Sequence, residues 1–155
     1  MSEMDQLLDD LRVVYEKMSW LNGDKMKQAL KGYSASEVHW LEFIENTPDV
    51  NVTKLSEHFF MTRGAMSKAT KKLIAKGAIY SVKKESNKKE IYFELTEEGK
   101  RIYNLHEKLH QEFKERDKDI YEMLSPEILK EVSDFLQMYD EHLSQLIEKE
   151  QLKLQ

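Results

Sequence analysis

The sequence has no cysteine, two prolines and five glycines in 155 residues. Without cysteine there is no disulfide, no thiolate metal ligand, no thiol redox sensor and no cysteine nucleophile. Five scattered glycines supply neither a phosphate-cradling loop nor a nucleophile elbow. No run of 18 apolar residues occurs, so a membrane-spanning helix is not expected. The opening "MSEMDQLLDDLRVVYEKM" is acidic and amphipathic, unlike a secretory signal. These absences point to a cytoplasmic, non-enzymatic, mainly helical protein: one domain with a real core, or a small domain with helical extensions.

What is present is charge, unevenly placed. Charged residues make up 34% of the chain and the formal net charge is −5. Residues 62–89 nevertheless hold nine Lys/Arg against the single acid Glu85, a local balance of +8. The remainder holds 15 basic and 28 acidic residues, a balance of −13. One lysine-rich helix would be an ordinary solvated face. A 28-residue block with one acid instead suggests a surface that meets a polyanion.

Helical spacing of Met4, Leu7, Leu8, Leu11, Val14, Tyr15 and Met18 predicts an opening amphipathic helix, weakened or ended at Gly23 and Gly32. Ser34 and Glu37 form a capping-box pattern for a helix to Asn46, whose Val38, Trp40, Leu41, Phe43 and Ile44 predict burial on several sides. Asn51 caps a short helix over Val52–Phe59. After a three-residue break, Thr62 caps another from Arg63 to Lys76 that stops at Gly77. That is a helix-turn-helix pattern. "AIYSV" and "EIYFEL" read as two strands around a "KKESNKK" turn. Thr96 then caps a long helix to about Met123, and Ser125 with Pro126 begins the last one.

The expected fold class is therefore mainly α with a small β-hairpin wing. A winged helix-turn-helix over residues 34–99 is flanked by dimerisation helices over 1–33 and 100–155. The terminal helices present apolar stripes that a domain of this size cannot cover, so they pair with another copy.

The segments "NVTKLSEHFFMTRGAMSKATKKLIAKGAI" and "NKKEIYFELTEEG" resemble the MarR family of bacterial transcriptional regulators. The motif-level match runs from Ser34 to about Lys100; the flanking helices match in architecture. The resemblance implies a homodimeric repressor that binds pseudo-palindromic double-stranded DNA and answers to an effector. On the recognition helix, Arg63 suits bidentate readout of guanine. Thr62 and Ser67 can bond phosphate or base, Gly64 and Ala65 keep the leading end thin, and Lys68, Lys71 and Lys72 suit phosphates. The wing supplies Lys83, Lys84, Asn87, Lys88 and Lys89. Where the family commonly has Asp-Arg-Arg, this chain has Asn87, Lys88 and Lys89, which lack both the planar fork and the ion pair. Such a wing grips phosphate more than it reads groove width.

His106 and His110 are one helical turn apart, which is metal-ligand spacing. Zinc-responsive members of the family are similar at positions matching His39, His106 and His110, so a metal or effector cleft is expected there. Their second metal site is not matched, since Val38 and Leu105 fall at its positions. Glu16, Asp24 and Glu42 are candidates for a fourth zinc ligand. "HEKLHQEF" also resembles the same helix in repressors of fatty-acid synthesis, where such histidines need not bind metal. HEKLH is read here as an effector-cleft feature, not a hydrolase motif. Two further readings stay open: histidines that only hydrogen-bond across a polar cleft, and a helical interaction module or anti-repressor that never touches DNA. The +8 block favours DNA over the latter.

Overall fold

The computed structural model describes residues 1–150 together with Leu152 and Lys153. Its order is α1 (Glu3–Ala29), α2 (Ala35–Asn46), α3 (Val52–His58), α4 (Arg63–Ala75), β1 (Ile79–Lys84), β2 (Asn87–Leu95), α5 (Glu97–Glu122) and α6 (Pro126–Lys149). This is the winged helix-turn-helix with long flanking helices that the sequence predicts. Helix α1 runs through Gly23 and ends before Gly32, which adopts φ +91°.

Side-chain caps set the helix starts. Ser34, Asn51, Thr62, Thr96 and Ser125 each accept a backbone N–H of the following first turn. Helix α4 ends in a Schellman turn: Gly77, at φ +75°, donates to Ile74 O and Ala78 donates to Leu73 O. The chain then passes directly into β1.

The hairpin differs from expectation. The strands continue through the lysines, leaving only Glu85 and Ser86 as the turn, with Lys84 opposite Asn87. Register shifts between Val82 and Lys84, so the tip is irregular. An exposed two-stranded ribbon needs no apolar alternation at its tip, which is why lysines extend it. The wing is joined to the α2–α3 turn by Phe93 N–H donating to Val50 O at 2.9 Å.

The core lies inside this winged domain. Leu41, Leu55, Met66, Leu73, Ile79 and Ile102 are fully buried, and Val38, Ile44, Leu95, Leu109 and Phe113 close around them. The first half of α5 thus belongs to the same core as α2. Ile120, nearer the end of α5, is exposed. At the start of α5, Thr96 N–H donates to Ala78 O at 3.0 Å, and Gly99 packs directly on that carbonyl.

A polar tie joins the recognition helix to α2. Glu37 is buried, and Lys76 Nζ lies 2.9 Å from its carboxylate and 4.9 Å from the Tyr33 ring centre. Burial pushes the Glu37 carboxyl up, but the Ser34 backbone N–H and the Lys76 ammonium outweigh it and hold it below the usual glutamate range. A depressed folded pKa means stability that is present above the unfolded value of about 4.3 and lost as pH falls through the folded one. Glu37→Gln is therefore expected to cost about 1.5 kcal/mol at neutral pH and to flatten the acid limb. Denaturant melts at neutral and acidic pH check both.

Candidate nucleic-acid interface

Helix α3 is a support. Its Leu55 is buried against α4, and the link between them turns at Phe60, whose φ of 53° is rare for a bulky residue. Met61 N–H donates to Ser56 O at 2.9 Å and closes the turn. Helix α4 then buries Met66, Thr70 and Leu73 and turns its other side outward.

Arg63, Gly64, Lys68, Lys71 and Lys72 are exposed along that outer side, with Thr62, Ala65 and Ser67 half-buried at its margin. The sequence-predicted residues are thus on one surface. The Thr62 hydroxyl oxygen accepts from Ala65 N–H at 3.1 Å, which leaves its proton free to donate outward. The Arg63 guanidinium donates to the Thr53 hydroxyl on α3. One of its five donors is so engaged, and the fork is held over the leading end of α4. A Cβ placed on Gly64 meets nothing within 4 Å, so the fold does not demand glycine here; its effect is a bare backbone open to close approach.

Lys83, Lys88 and Lys89 are exposed on the wing, and Asn87 Oδ1 accepts from Lys89 N–H at 3.3 Å, shaping the tip. Among the described residues, Lys68, Lys71, Lys72, Lys83, Lys88 and Lys89 form no ion pair. Two members of the basic block do. Lys76 is bound to Glu37, and Lys84, read from sequence as a wing contact, is bound to Asp49 in the α2–α3 turn and lies over the Tyr92 ring at 5.2 Å. Their mutual hydrogen bond is the largest influence on both, lowering the Asp49 pKa and raising that of Lys84. Of the nine cations in the block, seven remain to face a polyanion. Asp49 and Thr53 were not legible as functional: neither stands in a motif, and each acts through a partner distant in sequence.

The three histidines also come together. His106 Nε2 lies 3.0 Å from His110 Nε2 on α5, and the His39 ring on α2 stands edge-on to His106 with centres 5.8 Å apart. His106 is 3% exposed and its Nδ1 is buried without a hydrogen-bond partner. Burial, then the neighbouring His110, lowers its pKa, with Glu42 opposing and His39 adding to the fall. Among the described residues, the acidic groups grouped with His106 are Glu42 and Glu107, all ligand atoms lying within 4.8 Å of one another. Glu16 and Asp24 are instead bonded to Arg12 and Gln28 on α1.

Residues 106–110, HEKLH, do match H-E-x-x-H letter for letter, so the sequence reading that set them apart from a hydrolase motif needs correcting. Geometry separates the two. In that motif both imidazoles turn to one ion beside an open position, whereas these two rings contact each other and His106 is buried.

A family model described as MarR family matches residues 33–91. An uncharacterized HTH-type transcriptional regulator, YvnA of Bacillus subtilis strain 168, is 31% identical over 113 residues, covering 73% of this chain and 72% of its own. The HTH-type transcriptional regulator PchR of the same organism is 29% identical over 155 residues, covering 89% of this chain and 88% of its own. The crystal structure of Streptococcus pneumoniae FabT in complex with DNA matches with a TM-score of 0.79 at 22% identity, covering 93% of this chain and 99% of that one. At that identity the likeness is one of fold. Among the described residues, no helix is long and apolar enough to cross a membrane.

Proposed function

This chain belongs to the MarR family of winged-helix, DNA-binding transcriptional regulators, and on that premise we propose that it represses transcription as a cytoplasmic homodimer on a pseudo-palindromic operator. The observation that carries the reading is the uncovered apolar surface of the terminal helices. Helices α1 and α6 are 27 and 24 residues long, and neither holds a buried residue. Leu7, Leu8, Met18, Val132, Leu136 and Leu143 each stand between two-fifths and one-half exposed. Helices of this amphipathicity owe most of their stability to packing of the apolar face. A second copy supplies that packing through a two-fold interface. It would also present two α4 helices to successive major grooves, roughly 34 Å apart. Sedimentation velocity at micromolar concentration is expected to show one dimeric species. A monomer would overturn the reading.

The effector cleft is proposed at His39, His106 and His110, between α2 of the winged domain and α5, which runs on toward the dimer helices. A zinc-responsive regulator is the reading favoured by the unpartnered Nδ1 of buried His106. The donors gathered around His106 are the Glu42 and Glu107 carboxylates, with all three ligand atoms within 4.8 Å, a set zinc accepts; the His39 and His110 rings lie beside His106 but outside that group. Zinc there would link α2 to α5 in a structural role. The lowered pKa of His106 favours its neutral form, the one that coordinates. In a zinc-responsive protein, operator affinity changes with zinc, reverts with chelator, and ceases to respond in His106→Ala. That response fades as pH falls through the lowered pKa of His106, which lies below the free-imidazole value of about 6.5. If zinc does nothing in either protein, the metal reading fails. The same cleft then takes an organic acid or acyl group, whose affinity shifts with these substitutions.

A further inference from the structure

The wing and the body of the winged domain are held together on one side by a pair that neither the fold nor the core requires. Between them lies a cleft of about 430 Å³, lined by Asp49, Tyr80, Lys84, Tyr92 and Glu94 among others. Buried Phe93 and Leu95 anchor the base of β2 in the core; above them that side is open, and three polar tethers span it. Phe93 N–H donates to Val50 O at 2.9 Å, the Asn51 amide donates to Glu90 at 3.4 Å, and the Asp49 carboxylate accepts from the Lys84 ammonium. The first two act low on the hairpin or weakly; the third reaches the residue next to the tip.

Asp49 is specialised for this. Its φ of 54° lies in the left-handed region, which Asn and Asp tolerate better than other side chains, and that conformation accompanies a carboxylate directed at β1. Lys83 and Lys84 stand where the register shifts between Val82 and Lys84. Lys83 is unpaired among the described residues, while Lys84 is drawn back over Tyr92 and Asp49.

We propose that Asp49 is a specificity-determining residue of the DNA interface: by clasping Lys84 it withholds one ammonium from the phosphates and sets the angle of the wing. The proposal rests on the reading that the wing meets DNA. An ammonium on phosphate strengthens binding to every sequence alike and so leaves the operator-to-random ratio unchanged. Withholding Lys84 lowers affinity for both DNAs together, and it is the wing's angle, set by the same clasp, that bears on discrimination. The two side chains remain 42% and 48% exposed, so the clasp is solvent-screened and weak enough for one substitution to release it.

The experiment measures binding to operator and to random duplex across a salt series. Four proteins are compared: wild type, Asp49→Asn, Asp49→Asn/Lys84→Met and Lys88→Ala. Asparagine keeps the left-handed turn and removes only the charge. Asp49→Asn is expected to steepen the log–log salt slope on random DNA by about 0.9, because the freed Lys84 neutralises one more phosphate. Its operator-to-random ratio is expected to fall about threefold or more because the wing's angle is no longer held, and the double variant to return the slope, but not the ratio, to the wild-type value. A wild-type slope and ratio in Asp49→Asn overturns the proposal. So does a double variant as steep as the single, because relief of Asp49's own repulsion would then account for the steeper slope. Lys88→Ala is expected to flatten the slope. If it does not, the wing does not meet DNA, and the wing reading falls together with the clasp.

Discussion

Gly99→Ala is expected to cost about 3 kcal/mol or more, at the severe end of overpacking substitutions and a large fraction of a domain's stability. The added Cβ would stand 2.1 Å from Ala78 O, 3.1 Å from Ala78 C and 3.2 Å from Leu95 Cβ. The first two are backbone atoms, so no rotamer change relieves them. The carbonyl cannot withdraw cheaply either, because Thr96 N–H bonds to it and Ala78 N–H closes the end of α4. Either α5 or the α4–β1 junction must move, and Ala78, Ile79 and Ile102 are buried there. Gly64→Ala is the matched control, since its Cβ meets nothing within 4 Å. Thermal melts of the two variants should differ widely. Equal melting temperatures would show that the junction is soft.

Arg63→Ala is expected to weaken operator binding by about 1–3 kcal/mol and to shrink the gap between operator and random DNA. The physical basis is the position of the guanidinium at the exposed leading end of α4, held by Thr53 beside bare Gly64. A planar fork already oriented loses less freedom on meeting a guanine edge than a free one. Lys88→Ala and Lys89→Ala are expected to weaken both DNAs equally and to flatten the salt dependence, because an ammonium on phosphate carries no sequence information. Binding isotherms on the two duplexes distinguish the patterns. If Arg63→Ala left the operator-to-random ratio unchanged, readout would belong to another residue.

How much of this was legible in the sequence follows from the range of each interaction. Caps are local: Ser34 with Glu37, Asn51, Thr62, Thr96 and Ser125 each act within three residues, and each is a cap in the structure. The apolar residues of α2 likewise gave its burial, at Val38, Leu41 and Ile44. The ion pairs Lys76–Glu37 and Lys84–Asp49 join residues 39 and 35 positions apart, and no spacing rule reaches that far. Counting charge along residues 62–89 therefore overstated the exposed cationic face by two. The wing's extent was misjudged for a related reason. Lysine and asparagine have poor strand propensity, yet a hairpin tip in water imposes no burial for propensity to oppose. The histidine cluster depended on α2 meeting α5. The resemblance implied that contact, while the burial of His106 came only from packing.

Helix α5 also has a mechanical consequence. At about 1.5 Å per residue its 26 residues form a rod about 39 Å long. One end is clamped, through Ile102, His106, Leu109 and Phe113, in the core of the winged domain; the other, from Ile120 onward, is free of it. A rod so mounted converts rotation into travel. From His106 to Glu122 the arm is about 24 Å, so a turn of about 5° displaces the free end by about 2 Å, comparable to the helix shifts that switch subunit interfaces. An event among the histidines need move atoms there by only a fraction of an ångström, because length supplies the gain. By the same leverage, slack anywhere along the rod would attenuate the signal. A helix without proline or glycine between Lys100 and Glu122 has few places to bend.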